Sequence, residues 1–324
     1  MKILLLRFSS IGDIVLTSPV IRCLKQQLDA ELHFLTKAQY AQVLTANPYL
    51  TRIHTVDKRL AQVLPELRKE KFDWIIDLHH NLRSARVKWT LRRPSRSFNK
   101  LNFEKWLLVQ LGINLLPKIH IVDRYMQTVQ HLGVRYDGKG LDYFIPGLEE
   151  VSPGDLDPRL KPDRYIAFNI GANHATKRLP VEKIAAVCQN EELPVVLLGG
   201  KDEQIAGAQI VALSGGLVFN FCGKLSLQQS ASVVRQAYKV VTHDSGLMHI
   251  AAAFRKEIVS IWGNTVPDFG MYPFYPEGQK QNTSMEVPGL KCRPCSKIGY
   301  TSCPKGHFRC MQDQDVDEIC QALK

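Results

Sequence analysis

Short apolar runs at 2–8, 31–36, 52–56 and 72–78 alternate with stretches near 14–28, 38–46 and 59–70 where apolar residues recur at helical spacing. The runs read as buried strands and the stretches between them as amphipathic helices. Helical patterns continue near 81–92, 102–112 and 122–132. Such alternation predicts a parallel sheet covered on both faces. From 136 to 163 the texture changes to Gly138, Gly140, Pro146, Gly147, Pro153, Gly154, Pro158 and Pro162, as in a linker. Alternation then restarts, with strands at 165–170, 195–198, 218–221, 238–242 and 258–262 and helices at 181–189, 205–213, 227–237 and 247–254. The expected fold is α/β with two Rossmann-like domains, 1–150 and 151–312. A short amphipathic helix within 313–324 carries Val316, Ile319, Cys320 and Leu323.

Two strand-to-helix junctions carry the candidate chemistry. After the strand at 238–242 come His243-Asp244-Ser245-Gly246-Leu247-Met248-His249. A helix that starts there offers unpaired N–H groups and its positive dipole end, which suit phosphate. Gly246 permits close approach of a ligand and Ser245 adds a hydroxyl; the alternative reading makes Asp244 or Ser245 a plain N-cap and His249 a core histidine. The first strand likewise runs into Ser9-Ser10-Ile11-Gly12-Asp13. Asp13 is either an N-cap or a carboxylate at the C-terminal edge of a parallel sheet, where open α/β proteins bind ligands.

Composition narrows the partners. The 324 residues are 45% hydrophobic and 23% charged, as in a globular protein of two domains. No run reaches the ~18 apolar residues of a membrane span. The net charge of +11 calls for an anionic partner. Arg83, Arg86, Lys88, Arg92, Arg93, Arg96, Lys100 and Lys105 oppose only Glu104, and Trp89, Phe98, Phe103 and Trp106 are interleaved with them. This stretch is either a solvated face with core anchors or a docking patch for an anionic membrane surface. Neither half contains a Gly-x-Gly-x-x-Gly turn or a P-loop, which counts against dinucleotide-dependent dehydrogenases and P-loop NTPases.

Four motifs, in order and spanning nearly the whole chain, carry a family resemblance. They are Arg7-Phe8-Ser9-Ser10-Ile11-Gly12-Asp13-Ile14-Val15-Leu16-Thr17-Ser18-Pro19, Asp77-Leu78-His79-His80-Asn81-Leu82-Arg83-Ser84, Lys177-Arg178-Leu179-Pro180 and Asp244-Ser245-Gly246-Leu247-Met248-His249. Together they resemble the heptosyltransferases of lipopolysaccharide core synthesis, glycosyltransferase family nine. The resemblance implies a GT-B architecture, with two Rossmann-like domains facing across a cleft, the acceptor on the first and the nucleotide-sugar on the second. It implies a C-terminal helix returning to the N-terminal domain. It further implies inverting transfer of heptose from ADP-heptose to a phosphorylated lipid A–Kdo acceptor, by a cytoplasmic enzyme peripheral at the inner face of the cytoplasmic membrane.

By the same resemblance, Asp13 is the catalytic base. Thr176, Lys177, Glu203, Lys224, Asp244, Ser245, Gly246 and His249 form the donor site; Ser10, Gly12, Arg83, Arg92, Arg93 and Arg96 are assigned to the acceptor. Glu203 also reads as an ordinary exposed first-turn acid. Leu179 stands where many members carry Trp, and His79-His80 departs from the family pattern in a way that bears on acceptor choice. A lysine and a helix N-terminus can meet the diphosphate charge, so no catalytic metal is expected.

Cys292, Cys295, Cys303 and Cys310, with His307 among them, have the count and spacing of a structural zinc site, and equally suit reduced, packed thiols. Another GT-B nucleotide-sugar enzyme, such as an epimerase, would have no need of the basic stretch. A nucleic-acid binder would use the charge and the cysteines but leaves the two junctions unexplained, and no nucleic-acid partner is expected.

Overall fold

In the computed structural model, which describes residues 1–324, the Leu-rich start of the chain forms β1 (Lys2–Leu6), with Ile3 to Leu6 fully buried. Burial on both faces is what a central parallel strand requires. The first unit, residues 1–101 and 119–146, continues with α1 (Ile11–Val15), α2 (Ser18–Leu28), β2 (Glu31–Lys37), β3 (Arg52–Val56), α3 (Leu64–Lys69), β4 (Trp74–Asp77), α4 (Leu82–Leu91) and β5 (Ser95–Ser97). Beyond α5 (Asn102–Leu111), which groups with the second unit, α6 (Ile121–Met126) completes it. Its sheet has the order β3-β2-β1-β4-β5 with every pair parallel.

The helix expected over 14–28 is split. Pro19 lacks an N–H and its ring clashes with the carbonyl four residues back, so α1 ends at Val15 and α2 restarts with Pro19 in its first turn. The linker is anchored by Arg22 of α2, whose buried guanidinium meets Asp137 at 2.7 Å and Asp142 at 2.5 Å. Gly138 and Gly140, both at φ 73°, supply the left-handed turns that bring those acids round.

The second unit, residues 102–118 and 147–324, contains α5, α7 (Pro153–Leu156), β6 (Ile166–Asn169), α8 (Val181–Gln189), β7 (Val195–Leu198), α9 (Gln204–Ser214), β8 (Val218–Asn220) and α10 (Leu227–Gln236). It ends with β9 (Lys239–His243), α11 (Gly246–Ala253), β10 (Glu257–Trp262), β11 (Asn282–Glu286), α12 (Arg309–Gln312) and α13 (Val316–Leu323). The sheet order is β11-β10-β9-β6-β7-β8, again all parallel. The expectation for the C-terminal helix is corrected: α13 packs on α8 and β10 of this unit, with Ile319, Cys320 and Leu323 inside its core. Those three residues find an apolar seat beside Val187 and Val259, so the helix has no need to travel further.

Both sheets reverse strand order once at their centre, between β1 and β4 and between β6 and β9. The loops that leave the C-terminal ends of those strands diverge, and the crevice between them is where open α/β sheets take ligands. The two junctions picked out from sequence follow β1 and β9, one at each reversal.

Candidate active site

At the first reversal the chain passes from β1 through Arg7–Ser10 into α1. Ser10 is the N-cap and Asp13 lies one turn in. The Ser10 backbone N–H donates to Asp13 Oδ2 at 3.0 Å and its hydroxyl donates to the same oxygen at 2.8 Å. Asp13 Oδ1 receives Arg7 Nη2 at 2.6 Å. Arg7 is itself clamped, donating to Ser9 O at 2.8 Å, Leu78 O at 2.5 Å and the Tyr125 hydroxyl at 2.9 Å. Burial alone would raise the Asp13 carboxyl, but the Arg7 charge and then the Ser10 hydrogen bonds hold it below the ordinary carboxylate value. A carboxylate oxygen accepts along two lone pairs, so Oδ2 is filled and Oδ1 keeps one direction open. Asp13 is therefore ionised, oriented and partly available.

Beside it, Arg83 reaches over the Phe8 ring at 5.4 Å, and His79 meets the same ring edge-on at 5.2 Å. Burial pushes His79 down to about 3, so the imidazole is neutral, and its buried Nδ1 has no hydrogen-bond partner. Asp77, fully buried, organises this loop. It accepts from the His79 and His80 N–H groups at 3.0 and 2.7 Å, from Ser84 Oγ at 2.8 Å and from Lys88 Nζ at 2.9 Å. Lys88 is thus spent on an internal ion pair. Gly12 is buried within α1.

The basic stretch divides. Arg92, Arg93 and Arg96 are exposed, Arg92 as the left-handed C-cap of α4 and Arg96 on β5. Phe98 is a core anchor, whereas Trp89, Phe103 and Trp106 are exposed, as are Leu111, Ile113 and Leu115 after them. Phe103, Trp106, Leu111, Ile113 and Leu115, all in the second unit, are large apolar groups left in water in such number that they mark a surface that meets something apolar.

At the second reversal, β9 delivers His243 and Asp244 to the start of α11. Lys177 Nζ meets Asp244 Oδ2 at 2.5 Å, and Thr265 Oγ1 donates to the same oxygen at 2.9 Å. Asp244 accordingly holds Lys177 beside the helix start. Ser245 is the N-cap but leaves the first-turn N–H groups of α11 without a side-chain cap; its hydroxyl instead accepts from Asn169 Nδ2 at 2.8 Å. Gly246 opens the helix. Free N–H groups, a dipole end and a lysine make an anion site. His249 is buried and does not reach the surface.

Thr176 corrects an expectation. Its hydroxyl is buried, donating to Asn264 Oδ1 at 3.0 Å and accepting the Tyr300 N–H at 2.9 Å, so it is committed to holding the loop and not to a phosphate. Glu203 is buried, not exposed: Oε1 pairs with Arg178 Nη2 at 2.9 Å and Oε2 accepts the Gly200 N–H at 2.8 Å. Gly171, Gly199 and Gly200 crowd its carboxylate closely enough that a Cβ at Gly199 would come within 2.9 Å of Glu203 Cβ. Lys224 is exposed, its ammonium 5.7 Å from the Phe221 ring centre. Sequence reasoning gave no role to Arg7, Tyr125, Asn169, Arg178, His243 or Thr265. His243 is neutral, pushed down to about 3 by burial, and accepts the Leu179 N–H at 2.9 Å, fixing the loop that carries Lys177.

Cys292, Cys295 and Cys303 lie in the long stretch between β11 and α12 that contains no helix or strand, and Cys310 lies within α12. Cys292 Sγ is 3.8 Å from His307 Nε2. Burial and then the neighbouring sulfurs push the Cys295 and Cys310 thiols up, Cys310 to about 11. The segment braces the anion site: the Cys295 N–H donates to Asn264 O, and Arg293 Nη2 donates to Thr265 O at 2.9 Å.

Two parallel-sheet units, each with its site at the strand reversal, give the GT-B architecture. The family model for glycosyltransferase family 9 (heptosyltransferase) matches residues 60–301, and the chain belongs to that family. It is 26% identical to lipopolysaccharide heptosyltransferase 2 of Salmonella typhimurium, over 83% of this chain and 84% of that protein. It is 23% identical to lipopolysaccharide heptosyltransferase 1 of Campylobacter coli, over 82% of this chain and 84% of that one. Among solved structures, the ADP-heptose heptosyltransferase II of E. coli shares the fold with a TM-score of 0.72 at 22% identity, covering 100% of this chain and 97% of that chain.

Proposed function

We propose that this family member is an inverting, metal-independent heptosyltransferase that moves heptose from ADP-heptose to the lipid A–Kdo/inner-core acceptor of lipopolysaccharide. The observation that carries the reading is Asp13, an ionised carboxylate at a strand reversal with one lone-pair direction of Oδ1 open. The relatives named for lipopolysaccharide heptose transfer supply the substrate class. An acceptor hydroxyl attacks the anomeric carbon and gives its proton to Asp13, while the bond from that carbon to the diphosphate oxygen breaks on the opposite face. ADP leaves as an anion, stabilised by Lys177 and the first-turn N–H groups of α11. Because Arg7 depresses the basicity of Asp13, proton transfer comes late, once the attacking oxygen has become acidic. Ser10 orients the base, and Arg83 borders it. Glu203 and Lys224 are proposed for the nucleoside and Ser245 and Gly246 for its phosphates.

Arg92, Arg93 and Arg96 are proposed to meet anionic headgroups at the inner face of the cytoplasmic membrane, with exposed Trp89 of the same unit entering the interface. No helix is long and apolar enough to cross a membrane. A structural zinc ion held by Cys292, Cys295, Cys303 and Cys310 would tie down the loop that braces Thr265 and Thr176. The test of the function is incubation with ADP-heptose and Kdo–lipid A. The expected result is ADP release, a one-heptose mass gain and an inverted anomeric centre by NMR. Absence of transfer from ADP-heptose, with transfer from another nucleotide sugar, would overturn the substrate assignment.

A further inference from the structure

On β2 and β3 of the first sheet, two buried histidines touch. His33 Nδ1 lies 2.9 Å from His54 Nε2, and each ring is only 2% exposed. Their outer nitrogens are both occupied: His33 Nε2 meets Glu31 Oε1 at 3.0 Å and His54 Nδ1 meets Glu66 Oε1 at 3.0 Å. An ionised carboxylate only accepts, so each outer nitrogen must carry a hydrogen. Were both rings neutral, that would leave two bare lone pairs facing each other at hydrogen-bond distance in a buried site. A third hydrogen between the rings removes the conflict, and three N–H groups on two imidazoles amount to one imidazolium.

The surrounding charges agree. Around the pair stand Lys2 on β1, Glu31 on β2, Arg52 on β3, Glu66 on α3 and Glu70 just beyond it. Lys2 Nζ pairs with Glu31 at 3.0 Å and Glu70 at 2.9 Å; Arg52 pairs with Glu66 at 2.8 Å and Glu70 at 2.9 Å. Three carboxylates against two cations leave one negative charge, which a single extra proton balances. A divalent ion fits less well: Glu70, the nearest third donor, is already held by Lys2 and Arg52. Two nitrogens on one zinc at ~2.0–2.1 Å would also have to stand farther apart than a hydrogen bond allows.

We propose that the His33–His54 pair holds one shared excess proton and acts as a pH-sensitive lock between the β2–β3 edge and α3. Burial, ahead of the opposing pull of Glu66, lowers His54. Because the two rings face each other at hydrogen-bond distance, their protons are taken up in two steps that belong to the pair and not to either ring. Free histidines titrate near ~6.5. Above that value the native state holds one proton that the unfolded chain has lost, and below it the unfolded chain holds two to the native one. Stability therefore falls in both directions, by roughly tenfold in the folding constant per pH unit per proton where each difference is complete.

The experiment compares urea unfolding of the full chain between pH 6 and 9 for wild type and His33→Gln. Wild type is expected to lose stability above neutral pH with a one-proton slope that His33→Gln lacks. Equal slopes in the two proteins would overturn the proposal. If His33→Gln does not fold, side-chain ¹⁵N NMR of wild type decides, with His54→Gln used for assignment. One doubly protonated ring near neutral pH supports the shared proton, and two neutral rings refute it. Zinc added to wild type serves as the competing arm: saturable stabilisation that disappears in His54→Gln would mean that the facing lone pairs are open to metal, against the proposal.

Discussion

Replacing Arg7 by Gln tests the electrostatics on which Asp13 depends. Both side chains are largely buried, at 9% and 17% exposure, and Arg7 also supplies donors to Ser9 O, Leu78 O and the Tyr125 hydroxyl. Removing one member of a buried ion pair leaves the other uncompensated and costs ~3–5 kcal/mol. The dependence on pH is the sharper signature. In wild type the depressed Asp13 value contributes stability that is present above the unfolded carboxylate value of ~3.9 and is lost as pH falls through the folded one. Without Arg7, burial becomes the dominant influence and raises the carboxyl, so protonation now favours the native state. The stability deficit of Arg7→Gln should be largest at neutral pH and shrink as pH drops toward the carboxylate range, while Arg7→Lys, which keeps the charge but not the fork, should lose less. Urea melts at several pH values measure it. A deficit below ~1 kcal/mol, the scale of a surface ion pair, or one that does not change with pH, would refute the argument.

Lys177→Ala and Asp244→Ala should each weaken ADP binding by calorimetry, by ~10- to 100-fold for the lysine, the scale of a lost charge-assisted hydrogen bond; unchanged affinity in both would place the donor site elsewhere. Reversing charge at Arg92, Arg93 and Arg96 should raise the KM for the lipid acceptor and reduce sedimentation with anionic vesicles at low salt, at ~1 kcal/mol per charge. High salt should erase the difference, and equal sedimentation at low salt would make these arginines a solubility feature. Elemental analysis should find zinc in wild type and not in Cys292→Ser/Cys295→Ser, with turnover intact after brief EDTA. Metal-free wild type would leave the cysteines as packed thiols, and immediate loss of turnover would contradict a metal-independent reaction.

Strand positions were legible because residues such as Leu4, Val196 and Val241 are buried on both faces of parallel sheets, and a continuous apolar run has few other uses. Two of the four edge strands were not: β5 (Ser95–Ser97) and β11 (Asn282–Glu286) pair along one side only and carry mainly polar residues. Asp13 and Asp244 could be picked out from sequence because they follow strand ends that announce themselves locally, whereas Lys177, eight residues beyond the end of β6, was reached only through the family resemblance. What orients them could not. Arg7 reaches Tyr125 across more than a hundred residues, Thr265 holds Asp244 from the loop after β10, and Tyr300 claims Thr176 from a loop without regular structure. Periodicity carries no information on such partners. The same blindness affected Glu203, whose burial against Gly171 and Gly199 depends on two loops meeting.

The central claim is that Asp13 takes the acceptor proton, and Asp13→Asn tests it most directly, because the amide keeps the size of the carboxylate while removing its basicity and charge. With saturating ADP-heptose and Kdo–lipid A, turnover should fall by ~10²–10⁴ while ADP affinity, governed by Lys177 and the start of α11, is unchanged. Near-normal turnover in a folded Asp13→Asn protein would contradict the account and return Asp13 to the role of a helix-capping residue.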